Sequence, residues 1–105
     1  MTQTLDLGDG HTFQWASWTP DRRLNPDLAD VADIDPCGGI VVHVAPDGSE
    51  CRGFVHFDVP GIELLAQGRP VWQVESLDPL TISPSVLCGA CGDHGFIRSG
   101  RWQRA

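Results

Sequence analysis

The most informative segment of the chain is LCGACGDHGFIRSGRW, residues Leu87 to Trp102. It contains Cys88-Gly89-Ala90-Cys91-Gly92, a C-x-x-C-G motif in which a tight turn lets two thiolates converge on one metal ion. Short apolar segments then flank Ser99-Gly100, which predicts a tight hairpin with Ile97 opposite Trp102. The sequence therefore predicts a metal knuckle running into a hairpin over residues 86–104, the arrangement of half a zinc ribbon.

The remaining metal ligands must come from other parts of the chain, because a complete ribbon would supply a second C-x-x-C and the sequence has none. His94 is the nearest candidate, and Cys51 lies in a strand that could pair beside the block. We predict a structural zinc ion bound by Cys88, Cys91, His94 and Cys51. Cys37, His43 and His56 are alternative ligands. A buried strand cysteine or a hydrogen-bonded surface histidine needs no metal, and that explanation stays open for each of them.

Three kinds of catalytic site would use the same part of the chain. A redox dithiol needs its first thiolate at a helix N-terminus, whereas glycines and a strand are expected after Cys91. A catalytic zinc would keep an open position, with Asp93 or Glu50 as base, but neither H-E-x-x-H nor a deaminase motif is present. Ser83-Pro84-Ser85 lacks the context of a nucleophile elbow. The sequence identifies no catalytic residue and favours a protein that is not an enzyme.

Two hairpins are expected before the C-terminal block. Apolar residues alternate on both sides of Gly8-Asp9-Gly10, which predicts a hairpin with His11 exposed at its turn. Residues 40–58 predict a second hairpin that turns at Pro46-Asp47-Gly48-Ser49. Centring this turn on Asp47-Gly48 places Cys51 in the core beside the aliphatic residues of the first strand. His43 and His56 would then share the opposite face.

The rest of the chain predicts a small α+β domain. Asn25-Pro26-Asp27 is typical of the start of a helix, here of at most about nine residues. Residues 71–77 alternate in polarity and predict a strand, and residues 78–85 hold two prolines and predict an extended linker. We expect a single domain over residues 1–105, made mainly of antiparallel β hairpins with one short helix and a C-terminal zinc-knuckle hairpin.

Charge and composition exclude several classes of protein. The 105 residues carry a net charge of −7, and all of the excess negative charge lies in residues 1–50. Nucleic acid is not expected as a partner, because phosphate binding needs a basic face. An acidic face could attract a basic protein or serve only for solubility. No segment has the apolar length of a membrane span or the pattern of a signal peptide, which predicts a cytoplasmic location and no membrane contact.

The C-terminal third resembles a known family. Residues 78–88, Cys91 to Arg98, Gly100 and Trp102 are similar to a block shared by short proteins that are carried mainly by actinobacterial phages, with relatives in bacteria. Outside this block the only other similarity is at residues 51–55. The family brings no established activity, so the resemblance implies an origin rather than a mechanism. Some bacterial relatives neighbour ubiquitin-like conjugation genes, an association that is not transferred to this chain.

These observations predict a small zinc-stabilised phage accessory protein. It would have no catalytic activity and would act by binding a host protein in the cytoplasm of the host cell. One alternative is a small metal-dependent, hydrolase-like enzyme that uses a histidine near the metal, and a second is a virion component. The sequence specifies neither the partner nor the oligomeric state.

Overall fold

Strands account for most of the regular structure. A computed structural model of the protein describes residues 3–105. The strands are β1 (Thr4–Gly8), β2 (His11–Trp18), β3 (Ile34–Val44), β4 (Glu50–Phe57), β5 (Val71–Leu77), β6 (Leu80–Ser83), β7 (Val86–Leu87), β8 (His94–Arg98) and β9 (Arg101–Arg104). One four-residue helix, α1 (Glu63–Ala66), and a 3-10 turn at Pro26–Leu28 complete the regular structure. No helix in residues 3–105 is long and apolar enough to cross a membrane.

The strands form two sheets. The first sheet has six strands in the order β1-β2-β3-β4-β5-β6, and the second has three in the order β7-β8-β9. Neighbouring strands are antiparallel except β4 and β5, which run parallel and are connected through α1. The small compact domain of mostly antiparallel strands with one short helix is confirmed. The predicted α+β class overstates the share of helix. The fold is mainly β, because the α-helix in residues 3–105 has only four residues.

Both sheets contribute to one hydrophobic core. The second sheet packs against the first through contacts of β8 with β6 and of β9 with β1. The buried core residues come from both sheets and are Leu7, Phe13, Val41, Val55, Phe57, Leu80, Ile82, Val86, Ile97 and Trp102. A smaller cluster around Cys37 and Ile62 fills the space between β3 and the segment containing α1. Apolar packing therefore holds the C-terminal sheet against the first sheet.

The register of the β3–β4 hairpin differs from the predicted register by one residue. Val44 pairs with Glu50 and His43 pairs with Cys51. The N–H of Ala45 also donates to the carbonyl oxygen of Ser49, so the turn itself holds three residues, and the last of them, Gly48, adopts φ +88°. Such a loop is a turn followed by a left-handed residue, whereas the prediction assumed a two-residue turn. A shift of one residue reverses the faces of a strand. His43 is therefore buried on the same face as Cys51, and the predicted placement of His43 opposite Cys51 is wrong.

Three further expectations about local structure are wrong. His11 is only 4% exposed, because its ring is stacked against Trp102 with centroids 4.1 Å apart. The segment predicted as a linker contains β6, which pairs with β5. The helix predicted from Asn25 is a single 3-10 turn, because Leu28 and its neighbours are not buried deeply enough to stabilise a longer helix.

Other local predictions are confirmed. The N-terminal hairpin forms with Leu5 opposite Phe13, and residues 71–77 form β5. The C-terminal hairpin has Ile97 opposite Trp102, as predicted. In these segments apolar and polar residues alternate along each strand, and clear turn sequences separate the strands. The local sequence pattern therefore agrees with the observed packing.

Gly38 in β3 gives a test of how closely β3 and β4 approach. A Cβ atom at Gly38 would lie 1.8 Å from the carbonyl oxygen of Val55, and the φ of +152° is also unfavourable for other residues. We expect Gly38→Ala to lower the free energy of unfolding by about 3 kcal/mol, measured by urea denaturation. Gly53→Ala in β4 is the matched control, because nothing lies within 4 Å of its added methyl group. A change of about 0.5 kcal/mol or less is expected there, and equal effects at the two positions would contradict this account.

Candidate functional site

Four side chains converge between the two sheets. His43, Cys51, Cys88 and Cys91 each offer one ligand atom, and these atoms all lie within 4.8 Å of one another. His43 and Cys51 are paired residues of the β3–β4 hairpin, whereas both other cysteines come from the loop between β7 and β8. The Nε2 atom of His43 lies 3.2 Å from the Sγ atom of Cys91. This cluster could hold a metal ion. The sequence predicted its three cysteines as ligands and named His43 as an alternative.

The loop geometry explains why the two loop cysteines meet. The backbone N–H of Gly92 donates to the carbonyl oxygen of Cys88 at 2.8 Å, and the N–H of Cys88 donates to the carbonyl oxygen of Asp93 at 2.7 Å. Gly92 adopts φ +80°, a conformation that glycine reaches without steric cost. The turn that the C-x-x-C-G motif predicts is therefore present.

The thiols of the cluster differ in acidity. Burial, followed by the neighbouring Cys88 and Cys91 thiols, raises the pKa of Cys51 to about 11. At Cys88 burial acts in the same direction, but hydrogen bonds from the backbone amides of Cys91 and Ala90 leave the pKa of the thiol below its usual value. A metal ion binds thiolates, so ligation at Cys51 would displace a proton that the free thiol retains at neutral pH.

The other predicted ligands lie elsewhere. His94 is exposed and hydrogen-bonded to Ser85, so His43 takes the place in the cluster that the prediction gave to His94. Cys37 belongs to the smaller core cluster, and burial raises the pKa of its thiol. His56 is buried with its ring 4.4 Å from that of Phe54, and burial, followed by the charge of Arg69, lowers its pKa. Neither Cys37 nor His56 is part of the cluster that could hold a metal.

In the chain segment that carries Cys88 and Cys91, a serine and a histidine form a close pair. The Oγ atom of Ser85 lies 2.6 Å from the Nε2 atom of His94. Ser85 immediately precedes β7, and His94 is the first residue of β8, opposite Leu87. The indole N–H of Trp72 donates to the carbonyl oxygen of Ser85 at 3.2 Å, which fixes the backbone that carries the hydroxyl group. A serine hydroxyl hydrogen-bonded to an imidazole is the pairing by which a serine becomes a nucleophile.

Asp93, which directly precedes His94 in the chain, contacts a residue of the first sheet. Its carboxylate lies 2.5 Å from the Nε2 atom of His11, whose ring is packed between those of Trp102 and His43. Asp93 is therefore engaged with the first sheet and does not orient the neighbouring His94 as the acid of a catalytic triad. The structure therefore shows Ser85 and His94 in contact with each other, without Asp93 as a third partner.

The sequence analysis did not predict the contact between Ser85 and His94. It looked for the glycine-rich turn of a nucleophile elbow, and Ser85 follows a proline instead. A signal was nevertheless present: Ser85 lies three residues before Cys88, and His94 lies three residues after Cys91. A hairpin that closes at the knuckle brings residues at these positions together across the two strands, within reach of long side chains.

The structure is that of a small, mainly β protein in which Ser85 contacts His94, on the segment that also carries two cysteines of a cluster that could hold a metal. The family model described as "Bacterial ubiquitination-like system serine protease (BubE)" matches residues 16–105, and the chain belongs to this family. No curated protein and no solved structure gave a significant match.

The family overturns the functional prediction. A non-catalytic phage accessory protein that binds a host protein is wrong, because the matched family is a bacterial protease family. The prediction relied on the absence of familiar catalytic motifs and on a resemblance confined to the last third of the chain. The resemblance of the C-terminal block to phage proteins itself stays a prediction.

Proposed function

We propose that the protein is a serine peptidase with Ser85 as the nucleophile and His94 as the general base. The contact of 2.6 Å between Ser85 Oγ and His94 Nε2 carries the proposal. The description of the family supports the reaction class. His94 is exposed, so a substrate can reach it, and Ser85 is half-buried, so its position is set by the protein.

The reaction follows from the roles of the two side chains. His94 Nε2 accepts the hydroxyl proton of Ser85 as Oγ attacks the carbonyl carbon of the scissile amide bond. The protonated imidazole then donates this proton to the leaving nitrogen, the C–N bond breaks, and an ester of Ser85 remains. Water attacks the ester with His94 again accepting a proton, which releases the carboxylic acid and restores the serine hydroxyl.

We further propose that the metal of the cluster is zinc in a structural role. One imidazole nitrogen and three thiolate sulfurs form the Cys₃His donor set of structural zinc sites, in which four protein ligands fill the tetrahedral positions. The cluster links the β3–β4 hairpin to the loop that joins Ser85 to His94. In this proposal zinc fixes the loop, and the Ser–His dyad performs the chemistry.

The family description also suggests where the substrate comes from. A ubiquitination-like system attaches a small protein through its C-terminal carboxyl group, which forms an amide bond. We propose that the substrate is a protein of such a system, cleaved at an amide bond that follows the C-terminal segment of the ubiquitin-like protein.

Labelling with a fluorophosphonate tests the proposed function. The reagent reacts with activated serine hydroxyls and requires no knowledge of the substrate. We expect a single adduct that peptide mass spectrometry assigns to Ser85, and we expect it to be absent from the His94→Ala variant because the base is lost. Ser83→Ala, two residues away, should label like the wild type. An adduct on a different serine, or no adduct on the zinc-loaded protein, would overturn the proposal.

A further inference from the structure

We propose that Arg98 is a specificity-determining residue, whose guanidinium group binds a carboxylate side chain of the substrate two or three residues from the scissile bond. The inference rests on the proposed function and names the kind of sequence that the dyad would cleave. It places an extended, acidic segment of the substrate on the outer face of the second sheet, the face that points away from the hydrophobic core.

Alternation along β8 defines this outer face. The buried residues of β8 are Gly95 and Ile97. Successive side chains of a strand point to opposite faces, so the side chains on the outer face are those of His94, Phe96 and Arg98. The base of the proposed dyad therefore shares its face of the sheet with an aromatic ring and a cation.

A continuous series of contacts joins the dyad to the guanidinium group. Ser85 Oγ lies 2.6 Å from His94 Nε2. The imidazole ring of His94 is stacked with the ring of Phe96, with centroids 6.4 Å apart. The Cζ atom of Arg98 lies over the Phe96 ring, 4.2 Å from its centroid, which is within the range of a cation–π interaction. Phe96 thus positions the charge of Arg98 on the side of β8 that leads to His94.

The outer face carries positive charge that no carboxylate neutralises. Arg98 is the cross-strand partner of Arg101, and like charges directly opposite each other destabilise a sheet. Asp93, the acid nearest to His94 in the chain, is engaged with His11 of β2. Within residues 3–105 neither Arg98 nor Arg101 forms an ion pair, whereas three other arginines do, namely Arg22, Arg52 and Arg104. In a chain with a net charge of −7, this face is therefore complementary to an acidic ligand.

The two arginines of this cross-strand pair extend in different directions. A Cβ atom at Gly8 would lie 3.5 Å from the Nη2 atom of Arg101, so the side chain of Arg101 reaches toward β1. The side chain of Arg98 lies over Phe96 instead. Arg98 is therefore the arginine that faces the dyad, and Arg101 is a matched control of the same charge on the same hairpin.

Strand dimensions give the position of the carboxylate in the substrate. Residues two apart on one face of a strand are separated by about 7 Å, so Phe96 and the guanidinium group above it lie about that far from His94. An extended polypeptide advances about 3.3 Å per residue. A carboxylate that meets Arg98 thus belongs to a residue two or three positions from the scissile bond. A guanidinium group binds a carboxylate through two parallel N–H···O bonds, which an uncharged amide cannot reproduce.

Peptides that differ only in Glu or Gln test the inference. The fluorogenic peptide that the zinc-loaded wild type cleaves best is resynthesised with Glu or with Gln at each position two or three residues from the cleaved bond, on either side. We expect kcat/KM to be about 5-fold higher for Glu than for Gln at one of these positions, the effect of an exposed ion pair. This ratio should fall to about 1 in Arg98→Gln and stay at about 5 in Arg101→Gln.

Charge reversal gives a second variant for the same test. At the position that prefers Glu in the wild type, Arg98→Glu should cleave a Lys peptide faster than the Glu peptide. Each ratio is measured within one preparation, so a variant that folds less completely still reports its preference.

The outcomes separate this inference from the proposed function. If an alkyl fluorophosphonate labels Ser85 but no Glu peptide is cleaved faster than its Gln counterpart, binding of a carboxylate at Arg98 is wrong while the dyad stands. A preference for Glu that persists in Arg98→Gln, or that Arg101→Gln abolishes equally, also overturns the inference, because Arg98 would then not be the group that selects the substrate. Absence of fluorophosphonate labelling in the wild type contradicts the proposed function itself.

Discussion

Replacement of Ser85 by alanine is expected to reduce amide hydrolysis by roughly 10⁴-fold or more while leaving the fold intact. In the proposed mechanism the hydroxyl is the only group of the pair that forms a bond to the substrate, so no neighbouring side chain can replace it. The fold should tolerate the change because the Ser85 side chain is half-buried and its carbonyl group, rather than its hydroxyl, is bonded to Trp72. The measurement is the kcat/KM for a pool of fluorogenic peptides and for a ubiquitin-like protein fused to a short C-terminal peptide.

The control for this experiment lies two residues away. Ser83 is also half-buried and ends β6, paired with Gln73. We expect Ser83→Ala to retain kcat/KM within about 3-fold, because surface-proximal substitutions outside the dyad have small effects. If both serine variants retain activity, Ser85 is not the nucleophile.

The kcat/KM values of the two single variants and the double variant give a second test of whether Ser85 and His94 act together. His94→Ala should lower kcat/KM to a level similar to that of Ser85→Ala, and the double variant should be no less active than either single variant. This follows because the base acts only through the serine hydroxyl. Additive losses in the double variant would mean that the two residues act independently, which contradicts the proposed mechanism.

The sequence predicted those parts of the site that depend on local geometry. The knuckle cysteines followed from a five-residue motif, and the hairpin after it followed from a two-residue turn with Ile97 opposite Trp102. Cys51 was assigned correctly to the buried face of its strand, since alternation within β4 fixes that face. These features need no knowledge of distant segments.

The parts that were missed depend on distant pairing. His43 entered the cluster in place of His94 because the left-handed conformation of Gly48 adds a residue to the loop and reverses the face of β3. No local pattern distinguishes this three-residue turn from the predicted two-residue turn at Asp47-Gly48. β7 has only two residues, too few for any periodicity, so the pairing that brings Ser85 to His94 arises from tertiary structure.

Removal of a metal ion from the cluster is expected to inactivate the proposed peptidase, because Cys88 and Cys91 lie between Ser85 and His94 in the chain. The β7–β8 ladder has only two residue pairs, Val86 with Gly95 and Leu87 with His94. A ladder this short is marginal without further support. Metal ligation of Cys88 and Cys91 together with residues of β3 and β4 would supply that support, since ligands bound to one ion cannot separate. Without the ion, this support for the contact between Ser85 Oγ and His94 Nε2 would be lost.

Cys88→Ser should therefore lower zinc, measured by elemental mass spectrometry, from about one ion per chain to near zero, and should slow fluorophosphonate labelling of Ser85 at least about 10-fold. Cys37→Ala is the matched control, because it removes a buried thiol outside the cluster and should keep both zinc and labelling.

Should Cys88→Ser unfold, chelation of the wild-type protein provides the same test. Labelling should fall as zinc is removed and return when zinc is restored. A zinc-free protein that labels at the wild-type rate would show that the knuckle does not position the dyad. Zinc retained by Cys88→Ser would show that Cys88 is not a ligand.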